Sequence, residues 1–226
     1  MSGPSLIEAV QGLLERTYRM SRVVDDVGRF LIGDRGYRQL YDGREVIAGA
    51  DPATGSAART LVRETGSEVR ACIYLPDALV ETLEAHPPQR GLDELNVDAF
   101  AVLVEELDHL LCIAERAREG RAVTLFELEL HANVSKHLVL SRFLAGARRA
   151  LDPGRRTWLR FHLFHKGSLA GDHPEATRRY RDAARWALRL LDGLEGKTRD
   201  QRIETLRRFH GAPLERKLEL IRGIAA

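Results

Sequence analysis

Apolar positions near the start of the chain recur every three or four residues. Leu6, Val10, Leu13, Leu14 and Tyr18 share one face of an amphipathic helix over 6 to about 20. Ser5 followed by Glu8 is a capping box that marks its start. Helical spacing resumes from Val23 to Leu31 and ends near Gly33. Gly33-Asp34-Arg35-Gly36 reads as a turn, since two glycines without a following Gly-Lys-Ser make no phosphate loop. From Arg44 the period changes. Glu45-Val46-Ile47-Ala48 is β-like, Asp51-Pro52 through Gly55-Ser56 is loop chemistry, and Arg59–Arg63 and Val69–Leu75 flank residues 64–68 like two hairpin arms. A small antiparallel β-hairpin insertion at about 44–75 follows. Pro76 suits the first position of a short helix through about Ala85, which His86-Pro87-Pro88 stops.

The strongest pattern covers residues 97–147. Asn96 is a fitting N-cap for a helix running to Glu119, and Gly120 supplies its terminating residue. Thr124 with Glu127 forms another capping box that starts the next helix. So short a connection makes the two helices antiparallel neighbours, a helical hairpin. Both are apolar on two faces, as buried helices are. On the first, Phe100, Leu103, Val104, Leu107, Leu110, Leu111 and Ala114 form one stripe, with Ala101, Val102, Cys112 and Ile113 opposite. Beyond Asp152-Pro153-Gly154, the one plausible boundary, residues 157–164 fit either a helix or a strand. Pro174 opens a helix through Leu194 that Gly193 and Gly196 break. Arg199–His210 and Pro213–Ile224 form a closing helical pair. The expected fold is mainly α: a multi-helix domain, 1–226, around a central antiparallel helical hairpin with a small β insertion.

Composition agrees with a packed globule: 226 residues, 44% hydrophobic, with only fourteen aromatics (seven Phe, five Tyr, two Trp). No run approaches the roughly 20 apolar residues of a membrane span, and Met1-Ser2-Gly3-Pro4 lacks a secretory signal, so a cytoplasmic protein without membrane contact is expected. Cys72 and Cys112 give neither a disulfide framework nor a zinc spacing and read as reduced core residues.

A net charge of +2 conceals an asymmetry. Residues 142–226 carry 20 Lys and Arg against 10 Asp and Glu, whereas residues 1–141 carry 15 against 23. The basic part can seek an acidic protein surface or nucleic acid, or neutralise its own acidic half. Arg178, Arg181, Arg185 and Arg189 recur at three- and four-residue steps on one helix and would meet phosphates without reading sequence.

Chemistry concentrates on the hairpin. Glu105 and His109 lie one turn apart on an apolar face, where a carboxylate needs a partner or a neutral state. Three roles fit them: a structural pair, ligands of a divalent metal such as zinc, iron or manganese, or an acid and base. On the second helix Glu129, Asn133 and Lys136 form a polar stripe, with His137 beside it. Glu129 would complete a metal set with Glu105 and His109. A hairpin turning near residue 122 puts about 9 Å of axial offset between His109 and Glu129, which favours a Glu105, His109, Lys136 network instead. That same trio is the candidate catalytic set. Glu127 is assigned to its capping box. Glu106 and His109 have the ExxH spacing that ferritin-like di-iron bundles use twice, but no second copy is present. His162, His165 and His173 are unspecific and read as solvated residues at an aromatic core edge. GxSxG, HExxH, Walker and Rossmann patterns are absent. The functional expectation is a helical interaction or regulatory protein that binds an acidic partner, or itself, through its basic C-terminal surface. The alternatives are a metal-dependent enzyme centred on Glu105 and His109, and a nonspecific nucleic-acid binder.

Overall fold

The computed structural model describes residues 4–22, 24–41, 58–66, 68–146, 151–166 and 174–224. Helix α1 (Leu6–Tyr18) starts at the expected capping box: Ser5 Oγ accepts from Glu8 N, and Ser5 N donates to Glu8 Oε2 at 2.7 Å. Its buried Gln11 fastens the following loop, donating to Val24 O at 2.8 Å and accepting from Val27 N at 3.2 Å.

The expected helix at 23–31 and turn at 33–36 are not what the chain does. Val27–Phe30 makes a single tight helical turn, Leu31–Ile32 forms strand β1, and Asp34–Tyr41 forms helix α2. Long-range contacts decide this. Asp34 N donates to Asp77 Oδ1 at 3.1 Å, and the Tyr74 hydroxyl donates to Asp34 Oδ1 at 2.7 Å. Strands β2 (Arg59–Thr65) and β3 (Glu68–Tyr74) are the expected hairpin, in register from Arg59↔Tyr74 to Thr65↔Glu68, turning through Gly66 at φ 61°. Because β1 runs parallel to β3, the sheet is mixed, in the order β1-β3-β2, and not a lone antiparallel hairpin. The expected strand at Glu45–Ala48 lies outside the described residues. Helix α3 (Asp77–Ala85) follows, with Pro76 one position earlier than expected, as its N-cap.

The central hairpin consists of α4 (Val97–Arg118) and α5 (Leu125–Ala145), joined through Gly120 at φ 66°. Asn96 precedes α4 but does not cap it with its side chain. It ties the incoming loop instead, donating to His86 O and Gly91 O and accepting from Asp93 N. Phe100, Val104, Leu107, Leu130, Val134, Val139 and Leu140 are wholly enclosed. Each such side chain contributes about 1.5–3 kcal/mol by its burial. The 157–164 stretch is helical, part of α6 (Pro153–Phe164), capped by Asp152. Helix α7 (Pro174–Leu194) lays Ala183, Ala184, Ala187, Leu190 and Leu191 inward and packs on α5. Helices α8 (Arg199–Gly211) and α9 (Leu214–Ile224) pack on α1 and α7 respectively. Gly193 does not break α7. It lies within it, where a Cβ would collide with Ile224 of α9, so its missing side chain admits the last helix. Among the described residues no helix is long and apolar enough to cross a membrane.

Candidate metal centre

Glu105, Glu106 and His109 project from two consecutive turns of α4, and Glu129 and Lys136 from α5. One ligand atom from each of Glu105, His109 and Glu129 lies within 4.8 Å of the other two. The 9 Å offset expected between His109 and Glu129 therefore does not keep them apart. Axial arithmetic places backbone positions, whereas an imidazole and a three-bond glutamate side chain together span more than a helical turn of about 5.4 Å. Lys136 is also present, as the sequence suggested: its Nζ donates to Glu105 Oε2 at 2.5 Å. Glu105, His109, Glu129 and Lys136 thus share one cluster.

Its electrostatics follow from burial. Burial opposes a charge on His109, but Glu106, Glu105 and Glu129 outweigh it and push the imidazole up to about 9. Burial and the charge of Glu105 raise Glu129 to about 7, against the attraction of His109 and Lys136. Glu105 is held below the usual carboxylate range because Lys136 and His109 overcome its own burial. His109 Nδ1 lies 3.8 Å from Glu106 Oε2, which in turn accepts from Thr60 Oγ1 on β2 at 2.7 Å. His109 Nε2 is buried without a hydrogen-bond partner. A carboxylate near one imidazole nitrogen and a second nitrogen left without a hydrogen-bond partner, on a ring grouped with two further carboxylates, are features of a histidine placed to meet a metal. The Glu106–His109 spacing thus makes a contact within one helix, without any di-iron bundle.

The other candidates lie elsewhere. His137 is not part of the cluster: its ring packs 6.4 Å from that of Phe164, near Arg160 and Arg156. His162 is buried, not solvated, with Nε2 3.0 Å from Glu94 Oε1 and its ring against Trp158. Arg178, Arg181, Arg185 and Arg189 lie exposed on the outer side of α7. Arg178 and Arg185 are partly engaged by Asp182, and Arg189 covers the Trp186 ring. The expected capping box at Thr124 is only half formed, because the Glu127 side chain does not reach back to the cap. Thr124 Oγ1 accepts from Glu127 N, while the Glu127 carboxylate accepts from Lys217 Nζ of α9 at 2.9 Å and lies 3.7 Å from Arg116.

Sequence reasoning missed a second polar cluster, deeper in the molecule. The Tyr18 hydroxyl lies 2.8 Å from Ser135 Oγ, which donates to Asp108 Oδ1 at 2.6 Å. His131 Nδ1 lies 2.8 Å from Asp108 Oδ2. His131 Nε2 lies 2.9 Å from His210 Nδ1, and His210 Nε2 lies 2.6 Å from Glu115 Oε2. Cys112 Sγ is 3.4 Å from His131 Nδ1. Asp108 and Ser135 are fully enclosed, and Tyr18 and His131 are 2% exposed. Burial opposes the charge on Asp108, but His131 and Ser135 more than compensate and keep it ionised; burial lowers His131. A signal for Asp108 did exist in the sequence: of its four neighbours one turn away, Val104, Leu111 and Cys112 are apolar and only Glu105 is charged.

No known family model matches the chain, and no curated protein or solved structure is significantly similar to it.

Proposed function

We propose that this protein binds a divalent transition metal through Glu105, His109 and Glu129. The observation that carries the reading is His109 Nε2, a buried polar atom without a partner on the ring that shares a 4.8 Å cluster with two carboxylates. A buried unsatisfied group costs on the order of 1–3 kcal/mol, and a ligating ion removes that cost. Two carboxylates and one imidazole suit zinc, iron or manganese. Three protein ligands leave a coordination position for water or a substrate oxygen, the composition of a catalytic rather than a closed structural centre. Lys136, on Glu105, is the neighbouring group that would exchange protons there. Elemental analysis of the purified chain should find metal, and added Zn2+ or Mn2+ should raise its thermal midpoint. His109→Ala and Glu129→Gln should each lower metal affinity at least tenfold. Wild-type affinity equal to that of both variants rejects the reading.

The exposed arginine face supports a second reading, in which α7 meets an acidic protein surface or nucleic acid. Its inner side is fully used in the core, so the outer stripe is left for solvent or a partner. Binding to duplex DNA or an acidic polypeptide should then weaken steeply with salt, and Arg181→Ala with Arg185→Ala should flatten the slope by about two. Absence of binding at low salt removes this reading.

A further inference from the structure

The geometry points to a second metal site, chemically different from the first, in which Cys112, His131 and His210 hold a zinc ion at the junction of α4, α5 and α8. One ligand atom from each of these three buried residues lies within 4.8 Å of the other two. The residues behind the rings carry the argument. His131 uses Nδ1 on Asp108 at 2.8 Å, and His210 uses Nε2 on Glu115 at 2.6 Å. Each imidazole thus has a carboxylate at one nitrogen, and the remaining nitrogens, His131 Nε2 and His210 Nδ1, face each other 2.9 Å apart. Carboxylate–histidine pairs of this kind fix the tautomer and ring direction of metal ligands, and here two of them converge on one point. Two nitrogens on a tetrahedral zinc stand about 3.3 Å apart. Seating the ion therefore asks the two rings to part by a few tenths of an ångström and the Cys112 thiol, whose Sγ lies 3.4 Å from His131 Nδ1, to turn toward the point between them.

Proton counting favours the exchange. Without an ion, the contacts Asp108–His131, His131–His210 and His210–Glu115 need three protons between them, one more than two neutral rings carry. The Cys112 thiol holds another. Zinc on His131 Nε2, His210 Nδ1 and the Cys112 thiolate displaces the proton between the rings and the thiol proton. Two protons leave as a doubly charged ion enters, so the net charge of the enclosed cluster is unchanged. That matters where a change of charge would go unsolvated. Asp108 and Glu115 keep their hydrogen bonds, and Ser135 and Tyr18 continue to support Asp108. The soft thiolate separates this site from the oxygen-rich Glu105–His109–Glu129 cluster and selects zinc over magnesium or manganese.

Cobalt distinguishes the two sites, because only a cysteine ligand produces a thiolate-to-Co2+ charge-transfer band in the near ultraviolet. The full chain, unfolded and refolded with Co2+, should show this band. Cys112→Ser should abolish it and remove one equivalent of bound cobalt. Cys72→Ser, His109→Ala and Glu129→Gln should each leave it at full intensity, with circular dichroism confirming the fold of every variant. The inference is overturned if the refolded wild-type chain shows no such band, if the band survives Cys112→Ser, or if it disappears with His109→Ala. Loss of cobalt from His109→Ala with the band intact separates the two sites, and failure of the first site alone leaves this result unaffected.

Discussion

His137 lies next to Lys136 in sequence and outside its cluster in space. Both ring nitrogens are buried without partners, and burial, reinforced by Arg160 and Arg156, lowers the imidazole to about 4. The unfolded chain, titrating near 6.5, binds a proton over an interval where the folded chain does not. Stability from this position is therefore complete above about pH 6.5 and is lost as the pH falls toward 4. Urea unfolding of His137→Leu across that interval should show a stability-versus-pH slope shallower than wild type by as much as about 1.4 kcal/mol per pH unit. Parallel slopes would refute the assignment. Single residues were only partly legible in the sequence. Glu105 and His109 stood out because helical periodicity places them on an apolar face. Glu127 was obscured because a capping box explains a glutamate locally, while Lys217, its actual partner, lies 90 positions away.

At the scale of elements, local signals sufficed wherever capping and periodicity agreed. α1, α4, α5 and α7 begin within a residue of the positions their caps or prolines indicate. They failed where a distant contact overrides a local preference. The segment from Val23 to Gly36 has helical spacing followed by turn glycines, yet Leu31–Ile32 joins β3 because Ile73 and Tyr74 offer an open strand edge. α2 then starts at Asp34, which Asp77 and Tyr74 hold from across the sheet. The hairpin was correct in topology, and its register put Lys136 beside Glu105, but the same arithmetic set Glu129 too far from His109. The pairs Asp108–Ser135 and Glu105–Lys136 do bridge α4 and α5 near the expected level. His109 and Glu129 share a cluster across more than a helical turn of offset because side-chain reach, which no Cα count includes, closes the difference. Both groupings of the candidate site, with Glu129 and with Lys136, were thus legible in the sequence, and what misled was the axial offset that set them against each other.

Over the whole molecule, the split between an acidic N-terminal part and a basic C-terminal part is bridged within the chain at a few points. Glu94 and Asp98 engage His162 and Lys166, Glu115 engages His210, and Glu127 engages Lys217. The last of these pairs is the least dispensable. Lys217 is 1% exposed, and its ammonium donates to Glu127 Oε1 at 2.9 Å, His210 O at 3.0 Å and Ala212 O at 2.7 Å, above the Phe209 ring. Burial lowers its pKa even though Glu127 supports the charge. On α9 only Lys217 and Ile221 are buried, so this ammonium is a principal attachment of the final helix to the hairpin. Lys217→Met keeps most of the apolar stem but leaves the Glu127 carboxylate buried beside Arg116 alone, with two carbonyls short of a donor. Removing one partner of such a pair costs about 3–5 kcal/mol. Denaturant unfolding should show that loss, with amide exchange in α9 rising before exchange in α4. Adding Glu127→Leu should recover a large part of it, since the stranded carboxylate is then gone. A Lys217→Met cost below about 1 kcal/mol, the scale of a surface pair, would mean that α9 is held by Ile221 and its neighbours and that the charge between the halves contributes little to the fold.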